Sequence, residues 1–182
     1  MKTIILINGV ARSGKDTFAE FLQTHLEKFN NTHSMVLPNA LGVKKIAKSV
    51  YEWNEEKDER GRQLLIDITN TGYNYDVHFW EKFSENTIEG LEVMSKKEFT
   101  HVIVPDFRYK NTYNYYVERG YNVITIMVVR PNHDNELGAL KLDISEQPLN
   151  LKFKHFINNS GTLEDLENQA KFVAEFIARG GN

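Results

Sequence analysis

The chain begins with an apolar run that breaks into a glycine-framed loop ending in a lysine. Residues 3–17 read Thr-Ile-Ile-Leu-Ile-Asn-Gly-Val-Ala-Arg-Ser-Gly-Lys-Asp-Thr. Gly9 and Gly14 allow the chain to turn with its amides pointing inward, so that backbone N–H groups can surround a polyphosphate. Lys15 would place an ammonium among the β- and γ-phosphates, at the positive end of the helix that follows. This strand, loop and helix start predict a P-loop that binds a nucleoside triphosphate.

The residue after the loop lysine differs from the usual pattern. Ser or Thr commonly follows that lysine and ligates magnesium, whereas this chain has Asp16 there and Thr17 next. We expect Asp16 or its waters to hold the metal, with the Thr17 hydroxyl turned to a phosphate. A glycine-rich turn with a chance lysine is the alternative, but the flanking strand and helix patterns argue against it. The predicted nucleotide-binding residues are Gly9, Ala11, Arg12, Ser13, Gly14, Lys15, Asp16 and Thr17.

The composition fits one soluble domain. The chain has 182 residues, of which 41% are hydrophobic, and this length is sufficient for a full core. No apolar run is long enough to cross a bilayer, and the N-terminus offers no signal peptide. The chain has no cysteine, and its six histidines lack ligand spacing, which argues against disulfides and against a zinc site. We therefore expect a cytoplasmic protein without a membrane partner.

The charge balance argues against a long nucleic acid as partner. The formal net charge is −3, whereas proteins that bind nucleic acid usually have a basic surplus or patch. The two local basic clusters are Lys44-Lys45-Lys48 and Lys152-Lys154, and a solvated helix face and a solvated loop explain them. Nucleic acid stays open as a partner but is not favoured, and a homodimer also stays open.

Apolar runs that alternate with helical patterns indicate an α/β fold. After the first strand, the strand-like segments are 34–37, 101–104, 122–129 and 156–157. Helical patterns cover about 15–29, 43–53, 60–69, 77–94 with Gly90 as a candidate break, 108–120 and 162–180. The last begins with a capping-box pattern, Thr162 followed by Asp165. Near-continuous apolar strands suit a parallel sheet that is covered on both faces. We predict a doubly wound α/β fold in one domain, residues 1–182.

Ligands of such a sheet bind outside the carboxyl ends of the strands. That rule selects the loop, the Asp106-Phe107-Arg108 segment and Arg130. Asp106 ends a strand where P-loop proteins place the carboxylate that orients magnesium, and Arg108 can bind a phosphate with two hydrogen bonds. The alternative is an Asp–Arg pair that serves only as a turn and helix cap. Arg130 suits either a substrate phosphate or a surface carboxylate.

Several segments together resemble the bacteriophage deoxynucleoside monophosphate kinases. The loop with Asp after its lysine is usual in that family. The other matching segments occur in the family's order: Asn39-Ala40-Leu41-x-x-Lys44-x-x-Ala47, Arg62-Gln63-Leu64-Leu65, Phe79-Trp80-x-Lys82, Val104-Pro105-Asp106-x-Arg108-Tyr109, Val128-Val129-Arg130-Pro131, Ser145-Glu146 with Leu149, and Ile157-Asn158-Asn159-x-Gly161-Thr162-Leu163-Glu164-x-Leu166. The resemblance spans nearly the whole chain and is more specific than any single motif.

The resemblance implies a three-layer P-loop kinase fold with a mostly parallel five-stranded sheet and helices on both faces. It also implies transfer of the γ-phosphoryl group of ATP, with Mg²⁺, to a deoxynucleoside 5′-monophosphate in a host cell. The implied catalytic residues are Lys15, Asp106 and Arg108, and the implied metal ligands are Asp16, Thr17 and Asp106. The implied substrate-binding residues are Arg62, Arg108, Trp80, Lys44 and Arg130, with Arg12 as a further candidate for the acceptor phosphate. A helical acceptor-binding insertion would cover about 40–95, and a short lid-like segment, including Ser145-Glu146, about 132–150.

Some positions depart from the family, and other functions stay open. Thr112 stands where the family commonly has glutamate, Gln63 replaces a usual arginine, and the lid-like segment has Lys141 but no arginine. Tyr73, Tyr75, Phe79 and Trp80 could stack on a base, although buried core is the commoner fate of such a cluster. The alternatives are a kinase of phosphomevalonate, a kinase of hydroxymethylated bases in DNA, and a nucleotide-binding module without turnover.

Overall fold

The computed structural model describes residues 1–56, 58–131, 149 and 151–181. The strands are β1 (Thr3–Asn8), β2 (Ser34–Val36), β3 (His101–Val104), β4 (Asn122–Val129) and β5 (His155–Asn158). The helices are α1 (Lys15–Leu26), α2 (Leu41–Tyr51), α3 (Glu59–Tyr75), α4 (Phe79–Ser95), α5 (Lys110–Glu118) and α6 (Leu163–Ala178). The predicted alternation of strands and helices is confirmed.

All five strands pair in parallel, in the order β2-β3-β1-β4-β5. The central strand β1 pairs with β3 on one side and with β4 on the other, so that Thr3 lies between His101 and Asn122. The chain leaves β1 toward one edge of the sheet and leaves β3 toward the other. This reversal opens a crevice at the carboxyl ends of β1 and β3, where ligands of such sheets bind.

Alternate residues of β1 enter two different cores. Ile5 and Ile7 pack with buried side chains of α1 and α6 on one face of the sheet. Ile4 and Leu6 belong to the cluster on the opposite face, which includes Tyr116 of α5. Because both faces are covered, the strands need apolar side chains at nearly every position, as the sequence has them. The predicted α/β class with helices on both faces is confirmed.

A third apolar cluster joins α2, α3 and α4, the three helices that follow β2 and precede β3 in the chain. At its centre Trp80 is 2% exposed, and its indole N–H donates to the carbonyl of Thr69 across 2.9 Å. A Cβ on Gly42 would lie 2.9 Å from the Trp80 ring, and one on Gly72 would lie 2.6 Å from its Nε1. Two glycines therefore let α2 and α3 approach this ring closely.

The helix bounds differ from the sequence expectation at two glycines. The expected end of the third helix near Thr69 is wrong, because α3 continues through Gly72 to Tyr75, with Trp80 packed against that glycine. The candidate break at Gly90 does not occur, and α4 is one helix through that residue. The capping box of Thr162 and Asp165 at the start of α6 is confirmed. Within the described residues, none of the helices has both the length and the apolar character that crossing a membrane requires.

Candidate active site

The loop between β1 and α1 has glycine at two positions where its structure favours that residue, Gly9 and Gly14. Gly14 has φ 91° and Arg12 has φ 62°, both in the left-handed region, and Ser13 N–H donates to the Val10 carbonyl across 3.2 Å. A Cβ on Gly9 would lie 2.6 Å from the backbone oxygen of Val128. The loop therefore packs directly against β4, with no room for a side chain at Gly9.

Two buried polar side chains lie in and next to this loop. Ser13 is 0% exposed, and its hydroxyl has no hydrogen-bond partner among the residues that the structure describes. Lys15 is 8% exposed at the first position of α1. The N-cap residue of that helix, Gly14, brings no side-chain oxygen to its first amides. A hydroxyl donor, an ammonium and a helix N-terminus together fit a polyphosphate.

Asn159, directly after β5, supports the loop from the side. Its side-chain amide donates to the Ser13 carbonyl across 2.8 Å, and its backbone N–H donates to the Val129 carbonyl, also across 2.8 Å. A Cβ on Gly14 would lie 2.3 Å from the same side-chain nitrogen. Asn159 was part of the family resemblance but not of the predicted site. A polar residue at the carboxyl end of a strand was the signal that could have identified it.

The segment after β3 is tied to the end of β1, beside the loop. Phe107 N–H donates to the Ile7 carbonyl across 3.1 Å, and the Asn8 side-chain amide donates to the Phe107 carbonyl across 2.7 Å. Phe107 itself is buried at 1% exposure. These contacts bring its neighbours Asp106 and Arg108 to the same edge of the sheet as Lys15, as the sequence predicted.

The Asp106 carboxylate also binds the start of α2, a role that the sequence did not predict. One of its oxygens accepts the backbone N–H of Asn39 across 2.6 Å, and the other accepts that of Ala40 across 3.0 Å. Ala40 precedes α2, so Asp106 fixes the start of that helix to the end of β3. Each carboxylate oxygen has a second lone pair, so these bonds leave acceptor capacity for a metal or its waters.

The other predicted metal ligands lie at the start of α1. Asp16 is exposed in the first helical turn, and Thr17 follows it half-buried. Across the described ranges, no three His, Asp or Glu side chains gather into a metal-binding group. Mg²⁺ in phosphoryl-transfer sites commonly uses one or two carboxylates together with substrate phosphates and waters, so this donor set fits that metal.

The predicted substrate-binding residues comprise five cationic side chains and one aromatic side chain, Trp80. The cationic side chains differ in exposure: Arg108 and Lys44 are half-buried, whereas Arg12, Arg62 and Arg130 are exposed. Trp80 is 2% exposed and its ring packs against Gly42 and Gly72, so in this structure it belongs to the core and its predicted contact with substrate stays a prediction. Of the lid-like segment at about 132–150, only residue 149 is described, and Lys141 and Ser145-Glu146 lie outside the described residues.

A buried glutamate on α4 was missed by the sequence analysis. Glu81 is 0% exposed, and its Oε1 accepts the Thr112 hydroxyl across 2.6 Å and the Tyr73 hydroxyl across 3.2 Å. Burial and then the Glu81 charge raise the pKa of Tyr73 above its usual value, so the phenol stays a donor. Nothing in the sequence marked Glu81, because its partners lie on two other helices.

Comparisons with known proteins support the fold. No protein-family model matches the chain, and no curated protein matches it. The solved APS kinase of Mycobacterium tuberculosis in complex with AMPPNP and APS is 11% identical, with a TM-score of 0.53 and 97% of each chain covered. The hexameric APS kinase of Thiobacillus denitrificans is also 11% identical, with a TM-score of 0.50, and the match covers 100% of this chain and 30% of that one. The chain therefore has a P-loop kinase-like fold.

Proposed function

We propose that the protein transfers the γ-phosphoryl group of ATP to a deoxynucleoside 5′-monophosphate, giving the diphosphate. One observation carries the proposal. The loop with buried Ser13 and Lys15 lies at the same sheet edge as Asp106 and Arg108, held there by the bonds of Phe107 to β1. Phosphoryl transfer depends mainly on positioning and charge neutralisation, and this arrangement supplies cations on two sides of one crevice.

The donor side is the loop and the start of α1. The backbone amides and the Ser13 hydroxyl would hold the phosphates of ATP, and Lys15 would neutralise charge on the β- and γ-phosphates. Because Lys15 is 8% exposed, its ammonium acts where solvent screening is weak. The solved complex of a similar fold with AMPPNP supports ATP as the donor.

The proposed metal-binding residues are Asp16, Thr17 and Asp106. Mg²⁺ held by these residues would supply positive charge that neutralises the phosphates during transfer. Asp16 offers an exposed carboxylate next to the phosphate site, and Asp106 has lone pairs beyond those used by Asn39 and Ala40. Asp106 thus serves a positioning role and has capacity for the metal.

The acceptor side is formed by α2 to α4 and the start of α5. Arg108 would bind the acceptor phosphate, with Arg62, Lys44, Arg130 and Arg12 as further cations. A guanidinium can bind phosphate through two parallel hydrogen bonds, which fixes its orientation as well as its charge. The hydrogen bonds that the Asp106 carboxylate accepts at the start of α2 connect these helices to the sheet edge where Asp106 lies.

The resemblance of the sequence segments to phage deoxynucleoside monophosphate kinases supports this acceptor class over others. A coupled assay of ADP formation across several candidate acceptors tests this acceptor assignment. The panel contains the deoxynucleoside monophosphates, the corresponding ribonucleotides, mevalonate phosphate, APS and hydroxymethylated DNA. Turnover is expected with at least one deoxynucleoside monophosphate and should exceed turnover with the other classes. Turnover confined to another class would overturn the acceptor assignment, and ATP binding without any turnover would favour a binding module.

A further inference from the structure

Glu81 joins three helices that border the acceptor side. It lies on α4, and one oxygen of its carboxylate accepts from Tyr73 of α3 and from Thr112 of α5. Both Glu81 and Thr112 are 0% exposed. A buried carboxylate is unfavourable unless donors compensate it, so the two hydroxyls stabilise a charge that an apolar side chain would not require.

The two partners of Glu81 both contact Tyr109, the residue that directly follows the arginine that would bind the acceptor phosphate. The ring of Tyr73 contacts the ring of Tyr109 edge-on, with centroids 5.6 Å apart, and Tyr109 directly follows Arg108. Thr112 N–H donates to the Tyr109 carbonyl across 3.1 Å in the first turn of α5. Glu81 thus binds the turn after Arg108 through its hydrogen bond with Thr112. It also contacts that turn indirectly, because Tyr73 binds Glu81 and packs against Tyr109.

The second oxygen of the Glu81 carboxylate adds an energetic cost at this position. Oε2 is buried and has no hydrogen-bond partner among the described residues. An unsatisfied buried acceptor is unfavourable, and such groups in a native structure call for an explanation beyond stability. Positional accuracy around Arg108 provides one, because a charged acceptor binds both hydroxyls more strongly than a neutral group would.

We propose that Glu81 is a positioning residue that fixes the turn after Arg108, and with it the guanidinium, against α3 and α4. The proposal rests on the proposed function of Arg108 as the ligand of the acceptor phosphate. It predicts that removing the hydrogen bonds to Glu81 impairs binding of the acceptor and leaves binding of ATP unchanged. The loop that would bind ATP has separate contacts, with Asn159 and Val128.

A matched control lies one helical turn along α4. Glu85 accepts the hydroxyl of Tyr121 across 3.0 Å, the same kind of bond as that of Tyr73 to Glu81. Tyr121 follows α5 at the end away from Arg108. Tyr121→Phe therefore removes a tyrosine–glutamate bond on α4 without changing the turn after Arg108.

The experiment compares Tyr73→Phe, Thr112→Val and their double variant with Tyr121→Phe and with Thr112→Ser, which keeps the hydroxyl. Steady-state kinetics with the preferred deoxynucleoside monophosphate give separate KM values for the acceptor and for ATP, and melting temperatures report stability. We expect Tyr73→Phe and Thr112→Val each to raise the acceptor KM by roughly three- to tenfold, with a larger rise in the double variant and an unchanged ATP KM. Thr112→Ser should restore most of the wild-type acceptor KM.

The outcomes separate this proposal from the function on which it rests. A wild-type acceptor KM in the double variant, or an equal rise in Tyr121→Phe, would show that Glu81 only stabilises the fold. Equal rises in the KM of the acceptor and of ATP would also overturn the positioning role. A wild-type protein that phosphorylates no deoxynucleoside monophosphate would instead overturn the proposed function, and with it this role.

Discussion

The side-chain amide of Asn159 donates a hydrogen bond to the backbone carbonyl of Ser13 across 2.8 Å. The two residues are 146 positions apart in the chain, so the end of the last strand supports the loop after the first. The same nitrogen occupies the space that a Cβ on Gly14 would need, at 2.3 Å. The shape of the proposed phosphate-binding loop therefore depends on a residue outside the loop sequence.

Asn159→Ala should weaken ATP binding by removing this support. One hydrogen bond of this kind contributes about 1 kcal/mol, which corresponds to a roughly fivefold rise in Kd. Calorimetric titration with ATP measures the change. Asn158→Ala is the control, because Asn158 is exposed and its backbone pairs with the side chain of Gln169. Equal ATP affinity in wild type and Asn159→Ala would show that the contact does not shape the site.

Arg108→Lys should impair use of the acceptor although the charge is kept. A lysine ammonium is a point charge and cannot form the two parallel hydrogen bonds of a guanidinium. We expect at least a tenfold loss in kcat/KM for the monophosphate, about 1.4 kcal/mol. Calorimetry should give unchanged ATP affinity. A comparable loss of ATP binding would move Arg108 to the donor side of the site.

Asp16→Asn tests the departure from the usual residue after the loop lysine. If its exposed carboxylate helps to hold magnesium, the variant should need more Mg²⁺ for half-maximal rate, because a hard cation loses an anionic ligand. If Asp16 only complements the dipole of α1, the variant should lose about 1 kcal/mol or less of stability. Magnesium titration of the rate, paired with thermal melting, separates these outcomes. An unchanged Mg²⁺ midpoint would reject the metal role.

The sheet and most helices could be predicted because their signals are local. The apolar runs of β1 and β4 have few polar interruptions, and Thr162 with Asp165 marks the start of α6 within four residues. The length of α3 could not be predicted. Gly72 normally disfavours a helix, but here it is the position that lets Trp80 pack against α3, and that contact is tertiary.

The candidate site was predictable only where a motif or a strand end marked it. Lys15 and Asp106 lie where the loop pattern and the strand-end rule placed them. The bonds of Asp106 to Asn39 and Ala40 and of Glu81 to Thr112 join residues 31 to 67 positions apart. No periodicity or spacing in the sequence encodes such pairs.

Acidification should destabilise the fold through His101 on β3. Burial lowers the pKa of this imidazole from 6.5. Below pH 6.5 the unfolded chain therefore binds a proton that the folded chain resists, and the free energy of unfolding should decrease as pH falls. Burial also lowers the pKa of His155, which acts in the same direction.

Urea unfolding of wild type and His101→Gln at pH 7.5 and 5.5 measures this effect. The decrease in unfolding free energy should be smaller in His101→Gln than in wild type. His33→Gln, at an exposed position next to β2, should retain the wild-type decrease. An identical pH dependence in all three proteins would contradict the role of His101.

Label transfer from γ-labelled ATP to a deoxynucleoside monophosphate tests the central claim most directly, when wild type is compared with Lys15→Ala. The wild-type protein should form labelled deoxynucleoside diphosphate in the presence of Mg²⁺. The variant should keep the fold by circular dichroism and lose about 3 kcal/mol or more of transition-state stabilisation, a drop in rate of over a hundredfold. No labelled diphosphate from wild type, or a rate in Lys15→Ala close to that of wild type, would contradict the account.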